Sequence, residues 1–445
     1  MKKQFIAFAV LLCSTLTAFA QSTINKAKMD SLMQTLETHN KMMGNIAIME
    51  GDKILYSRAL GYLQIEGKHA ANTQTRYRIG SITKMFTATM IFQLIEEKKL
   101  TLQTTLSTYF PQLPNASIIT IEQLLNHHSG LFNFTDSAGM AFLSKPHSKA
   151  EMLQLFSRQK PVFQPGDSVG YSNTNYVLLG YIIESITGKS YQANLKSRIA
   201  KKAGLKKTTV GGKINPKKNE AYSYGFDGVN WSIDSETDMS TPGGAGAIVS
   251  TASELTQFIQ ALFGGKLVSK ASLEEMKTIK DGFGKGMFQV PFYEHAGFAH
   301  NGSIDGFSSS LCYFPDKKLS IALLCNGLAY QMNDIMIGIL SICYDKKYEI
   351  PVFLPPVQLS KEKLKRYEGT YASKDFPLKI SITSDGKNLI GQATGQGRFI
   401  LTTINEVEFR YDAAGVVLMF SIEADESVKR LLLQQSGMSF SFDKE

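Results

Sequence analysis

Strand-type and helix-type apolar spacing follow one another along this chain in an order that few folds can accommodate. Asn45 to Glu50 and Lys53 to Leu60 alternate about Gly51-Asp52, a hairpin signal. Ahead of them, Thr23 to His39 carries helical spacing through Ile24, Met29, Leu32, Met33 and Leu36. From Ser81 the apolar residues Met85, Phe86, Met90, Ile91, Leu94 and Ile95 recur at helical intervals until Glu96-Glu97-Lys98-Lys99 stops them. Leu106 to Ile233 then alternates helical stretches with turns, among them Asn175 to Thr187, which ends at Gly188 as a helix C-terminus should. Pro242-Gly243-Gly244-Ala245-Gly246 reads as a flexible loop and Ser253 to Phe263 as a helix. Apolar runs at Ser308 to Phe314 and Leu319 to Cys325, turned at Pro315-Asp316-Lys317-Lys318, bring the chain back to strand. Strands from both ends thus enclose a helical middle, which predicts an α/β (α+β) domain: an antiparallel sheet flanked by helices, with a helical subdomain.

Pro351, Pro355 and Pro356 mark a linker, because each proline restricts the residue before it and blocks regular pairing. Beyond it Leu378–Ile382, Phe399–Thr403, Val407–Tyr411, Val416–Ile422, Val428–Gln434 and Met438–Phe442 alternate or run apolar, with turns at Asp385-Gly386 and Ala414-Gly415. Regular short strands predict a small all-β barrel or sandwich. The chain therefore divides into a leader at 1–20, a main domain at 21–350, a linker at 351–358 and a C-terminal β domain at 359–445.

The leader is assigned from Lys2 and Lys3, the apolar stretch Phe5 to Leu12 and the small-residue close Ala18-Phe19-Ala20, the pattern of a secretory signal peptide. Cys13 follows the bulky Leu12, where lipid modification wants a small residue, so lipoprotein processing is disfavoured. No later apolar run is long enough to cross a bilayer, which predicts a secreted or periplasmic protein with no transmembrane segment after signal cleavage. The net charge of +9 is spread in short pairs such as Lys201-Lys202 and Lys217-Lys218, a solvated basic face. No aromatic-interleaved basic stripe points to nucleic acid. Cys312 and Cys325 flank the Pro315 turn, and pairing Phe314 with Leu319 sets Cys312 opposite Ile321, so no cross-strand disulfide is expected. Buried free thiols follow for these and for Cys343. The histidines show no zinc-ligand spacing, and no metal or cofactor is expected.

A serine hydroxyl is a poor nucleophile at neutral pH and needs a base within hydrogen-bond reach, together with donors aimed at the developing oxyanion. In Ser81-Ile82-Thr83-Lys84 the serine opens a helix and the lysine lies on the same face one turn on, where apolar neighbours would keep its amine uncharged. The same spacing recurs at Ser157/Lys160, Ser360/Lys363, Ser384/Lys387 and Ser441/Lys444, but only Ser81 follows a glycine and starts a long apolar-faced helix. Tyr171-Ser172-Asn173 offers a tyrosine that could shuttle a proton and an asparagine that could hold Lys84 and a substrate amide. His128-Ser129-Gly130, His295-Ala296-Gly297 and His300-Asn301-Gly302 each join a basic residue to a glycine that lets a substrate backbone approach. His300 is preferred, because Ser303 and its successors run straight into the strand before Pro315.

Ser-x-x-Lys, Tyr-x-Asn and His-x-Gly in this order resemble the signature of a family: class C-like serine β-lactamases, penicillin-binding D-alanyl-D-alanine carboxypeptidases and related D-aminopeptidases and esterases. The flanks Leu124-Leu125-Asn126-His127-His128-Ser129-Gly130-Leu131 and Leu178-Leu179-Gly180-Tyr181-Ile182-Ile183-Glu184 are similar too, and the likeness covers about Ile24 to Leu328. The resemblance implies a β-lactamase/transpeptidase-like fold, with Ser81 as acylated nucleophile, Lys84 as its base, Tyr171 as proton relay and Asn173 as a positioning group. It further implies a substrate edge at His300 and Gly302, and an oxyanion hole from the backbone N–H groups of Ser81 and Ser303. Most β-lactamases of this type have lysine where this chain has His300, which weakens the case for penicillin hydrolysis. The tail, with Tyr367-Glu368-Gly369-Thr370-Tyr371, resembles the lipocalin-like barrel appended to many such hydrolases.

The expected function is an exported serine hydrolase that forms an acyl-enzyme on D-amino-acid-containing peptides or related amides and esters. Its partners would be such small substrates, β-lactams or peptidoglycan fragments. A β-lactamase is the alternative within the same chemistry. A non-catalytic protein that binds cell-wall fragments is the alternative outside it, and the retained Ser81, Lys84 and Tyr171 speak against that reading.

Overall fold

The computed structural model describes residues 24–435 and 437–445; the leader assigned to residues 1–20 lies outside them. Helix α1 (Lys26–Thr38) is capped by Asn25, whose side chain accepts from the Lys28 N–H, and it buries Met29, Leu32, Met33 and Leu36. Strands β1 (Met42–Glu50) and β2 (Lys53–Leu60) form the hairpin that Gly51-Asp52 signals. They join a sheet whose remaining members come from far downstream: Phe288–Phe292, His295–Ile304, Phe307–Phe314 and Leu319–Leu328, with Leu319–Leu328 paired antiparallel to β1. Tyr224–Phe226 pairs parallel to Leu319–Leu328 and carries Trp231–Ile233 beside it. The register opposes Phe314 to Leu319 and Cys312 to Ile321, and Cys312, Cys325 and Cys343 are buried free thiols.

Two apolar layers cover the sheet. One holds α1 and the helix Met332–Cys343. The other holds the helix Ala252–Phe263 and the helical middle, centred on α2 (Thr83–Glu96). Every residue of α2 from Thr83 to Leu94 is buried, so this helix is enclosed by the core on all sides.

The stretch Pro242 to Gly246 differs from the expected flexible loop: Gly243–Gly246 is a helical turn packed on the helix Asn173–Thr187. A β-carbon on Gly244 would lie 2.6 Å from the Tyr176 carbonyl oxygen, so the glycine serves close packing. Past a segment without regular structure that contains Pro351, Pro355 and Pro356, the helix Lys361–Lys365 leads into eight antiparallel strands closed into a barrel, the first (Gly369–Ala372) pairing with the last (Met438–Lys444). Tyr367, Tyr371, Phe409 and Phe420 fill its interior.

Candidate active site

Ser81 sits in a 3-10 turn, Gly80–Ile82, that runs directly into α2, rather than in the α-helix itself. Gly80 has φ +49°, and a β-carbon there would lie 2.8 Å from the Ser303 backbone nitrogen. A β-carbon on Gly302 would lie 2.0 Å from the Ile79 carbonyl oxygen. Two glycines therefore let the serine turn and the strand His295–Ile304 touch main chain to main chain, and the Ser309 hydroxyl ties them by donating to the Ile79 carbonyl at 2.9 Å. The neighbouring strand Phe288–Phe292 pairs only as far as Ala299, so past that point the strand presents this flank to the serine turn. At the first turn of a helix the Ser81 N–H has no intrahelical acceptor.

One helical turn from Ser81, the Lys84 amine is wholly buried. Its Nζ lies 3.0 Å from Ser81 Oγ, 2.7 Å from Asn173 Oδ1 and 2.9 Å from the Ala245 carbonyl oxygen. Burial holds its pKa well below the ordinary lysine value. A neutral amine has two N–H groups and one lone pair. Asn173 Oδ1 and the Ala245 carbonyl can only accept, so the lone pair faces Ser81, whose O–H donates to it. Asn173 opens the helix Asn173–Thr187, two residues earlier than expected, and its amide nitrogen donates to Thr135 Oγ1 at 3.0 Å, which fixes which end of the amide faces the lysine.

Tyr171 stands at the cleft rim, 36% exposed, with Lys84 Nζ 4.9 Å from its ring centre. Burial of its phenol pushes the pKa up to about 12. His300 is buried beside Phe288, and its Nδ1 donates to the Asn301 carbonyl at 2.6 Å. Burial brings its pKa down to about 3, so the imidazole is neutral at physiological pH. Of the competing histidines, His128 is buried against Asp281 at 2.9 Å, while His295 pairs with Asp316 at the far end of the same strand.

A cavity of about 230 Å³ opens beside Ser81, with Phe134, Met140, Leu143, Pro242 and Ile304 on its apolar side. Its one ionisable lining residue among the described residues is Asp305, whose carboxylate is held by Arg78 Nη1 at 2.7 Å and by the Thr237 N–H and hydroxyl at 3.0 and 2.7 Å. Sequence reasoning missed this Arg78–Asp305 pair, the Ala245 carbonyl and His127. Only His127 left a trace in the pattern, as an unassigned flank of His128. No group of three or more potential metal ligands exists among the described residues.

The β-lactamase family model matches residues 29–337 of this chain. A penicillin-binding protein of Bacillus subtilis (strain 168) is 27% identical over 452 residues, spanning 93% of this chain and 97% of its own length. Among solved structures, the D-amino acid amidase from Ochrobactrum anthropi SV3, complexed with L-phenylalanine amide, superposes with a TM-score of 0.66 at 27% identity, over 72% of this chain and 98% of its own. The octameric penicillin-binding protein homologue from Pyrococcus abyssi superposes with a TM-score of 0.65 at 22% identity, over 94% of this chain and 99% of its own, a likeness of fold.

Proposed function

The chain belongs to the β-lactamase family and is a serine hydrolase, and from that premise we propose that Ser81 is its nucleophile, acting on D-amino-acid-containing peptides or related amides and esters. Lys84 takes the Ser81 proton as Oγ attacks the carbonyl, and the developing oxyanion is received by the N–H groups of Ser81 and Ser303. Tyr171, protonated at neutral pH, hands a proton to the departing amine or alcohol and recovers one from the Lys84 ammonium. Water then attacks the acyl-enzyme by the reverse relay, releasing the acid and regenerating Ser81. Asn173 orients Lys84, while His300 and Gly302 form the edge along which the substrate backbone lies.

The observation that carries this reading is the placement of the buried Lys84 Nζ 3.0 Å from Ser81 Oγ, with two obligate acceptors, Asn173 Oδ1 and the Ala245 carbonyl, beside it. The D-amino-acid class is supported by the name of the amidase neighbour, and a cleft whose one ionisable lining residue among the described residues is the carboxylate Asp305 fits an amide or ester better than a carboxylate-bearing β-lactam. The lysine-led apolar segment at residues 1–20 supports export. Intact-mass measurement with a p-nitrophenyl ester and with a penicillin is expected to show one acyl adduct, absent in Ser81→Ala. An adduct that persists in Ser81→Ala overturns the assignment.

A further inference from the structure

His127 follows the short helix Ile121–Leu125 and adopts φ +63°, left-handed backbone that side chains with a β-carbon rarely adopt. It is buried, and it meets the segment carrying Tyr171 in three ways. Its carbonyl accepts from the Gly170 N–H at 3.0 Å. Its Nδ1 accepts from the Ser172 N–H at 3.2 Å. Its ring lies against the Tyr171 ring, with centroids 4.5 Å apart and planes tilted 32°. Phe283 packs edge-on to the same imidazole at 5.1 Å, and Tyr176 lies 5.4 Å away.

The two peptide N–H groups that flank Tyr171 thus end on one residue, whose ring also backs the phenol. An imidazole can accept at Nδ1 only when that nitrogen is unprotonated, so the clamp needs neutral His127 with its proton on Nε2. Burial disfavours the charged form.

We propose that His127 is a positioning residue for the reaction at Ser81: it clamps the Tyr171 segment so that the phenol stays aligned between Ser81 and the leaving group. The proposal rests on the acyl-enzyme reading above. The strained backbone at residue 127 directs the carbonyl and the imidazole to opposite sides of Tyr171 at once. A misplacement of about 1 Å in such a relay costs on the order of a hundredfold in rate.

The test compares wild type, His127→Ala and His127→Asn by the p-nitrophenol burst and by single-turnover release of p-nitroaniline from a D-phenylalanine p-nitroanilide, whose amine leaving group must take a proton. Burst amplitude counts competent sites and the p-nitroanilide rate constant reports amide acylation per site. His127→Ala is expected to lower the rate constant about a hundredfold at nearly unchanged single-turnover half-saturation, since Tyr171 acts on the leaving group rather than on binding. His127→Asn places an amide oxygen where Nδ1 accepts from Ser172, and is expected to recover about tenfold of that loss. Reduced amplitude at a wild-type rate constant in His127→Ala would mean a purely structural role and overturns the proposal. So does an Asn variant no faster than the Ala variant. A wild type that shows neither a burst nor a Ser81 adduct by intact mass sinks the acyl-enzyme reading instead, and the clamp's purpose with it.

Discussion

In the C-terminal barrel the buried tyrosine hydroxyls close off backbone acceptors: Tyr371 donates to the Tyr367 carbonyl at 2.7 Å, and Tyr367 to the Glu406 carbonyl at 2.5 Å. Around Ser81 the buried ionisable groups include Lys84, His127 and His300, and burial disfavours the charged form of all three. These two barrel hydroxyls satisfy backbone carbonyls, so they stabilise the fold. The cleft's polar atoms are also hydrogen-bonded, yet burial disfavours charge on Lys84. In the proposed mechanism that is what lets Lys84 serve as a base at neutral pH.

The contrast can be broken most sharply at Lys84. Lys84→Met should reduce the burst rate constant by about a thousandfold or more, while calorimetry shows a melting temperature equal to or above wild type, because no amine has to be desolvated. A wild-type rate would remove the distinction between the two regions. In the wild type, acylation should fall as pH drops through the depressed lysine pKa, because protonation removes the lone pair. Next in size, Phe420→Ala in the barrel interior should cost about 3–5 kcal/mol in denaturant unfolding while acylation stays within about twofold. A large rate loss there would show that the barrel tunes the cleft.

A third test is acid stability. Unfolded His300 binds a proton near 6.5 but the folded residue only near about 3, so unfolding takes up a proton between those values and stability falls as pH is lowered through that window. The expected slope is about 1.4 kcal/mol per pH unit for each such histidine, and His300→Gln should remove its share in urea titrations at pH 6 and pH 4. Smallest of all, Tyr371→Phe should cost about 1 kcal/mol and leave catalysis alone, since it removes one satisfied hydrogen bond.

What the sequence shows and hides follows the same division. The hairpin at Gly51-Asp52, α2 and the register across Pro315 are written in local periodicity, and the structure has each of them. The barrel strand Leu389–Ala393 escaped notice because Gly391 interrupts its apolar pattern. The gap is filled from the adjacent strand by Phe399, whose ring lies 2.6 Å from where a Gly391 β-carbon would be. The helical turn at Gly243–Gly246 was hidden because close packing and flexibility demand the same residue. At the cleft, Ser81, Lys84, Tyr171 and Asn173 are brought together as their chemistry suggests. The Ala245 carbonyl and His127 act through main chain or through backbone hydrogen bonds, which leave little mark on residue type.

Strand β1 has a consequence for how the molecule is made. Eight of its nine residues are buried, and one of its two edges is completed only by Leu319–Leu328. At ordinary synthesis rates the ribosome needs on the order of tens of seconds to travel between those segments. During that interval the early hairpin has a bare, sticky flank and no partner for it. Slow, late-committing assembly follows from such distant pairing, and a nascent chain of this kind gains from a holdase that shields Met42 to Glu50 until the downstream strand emerges.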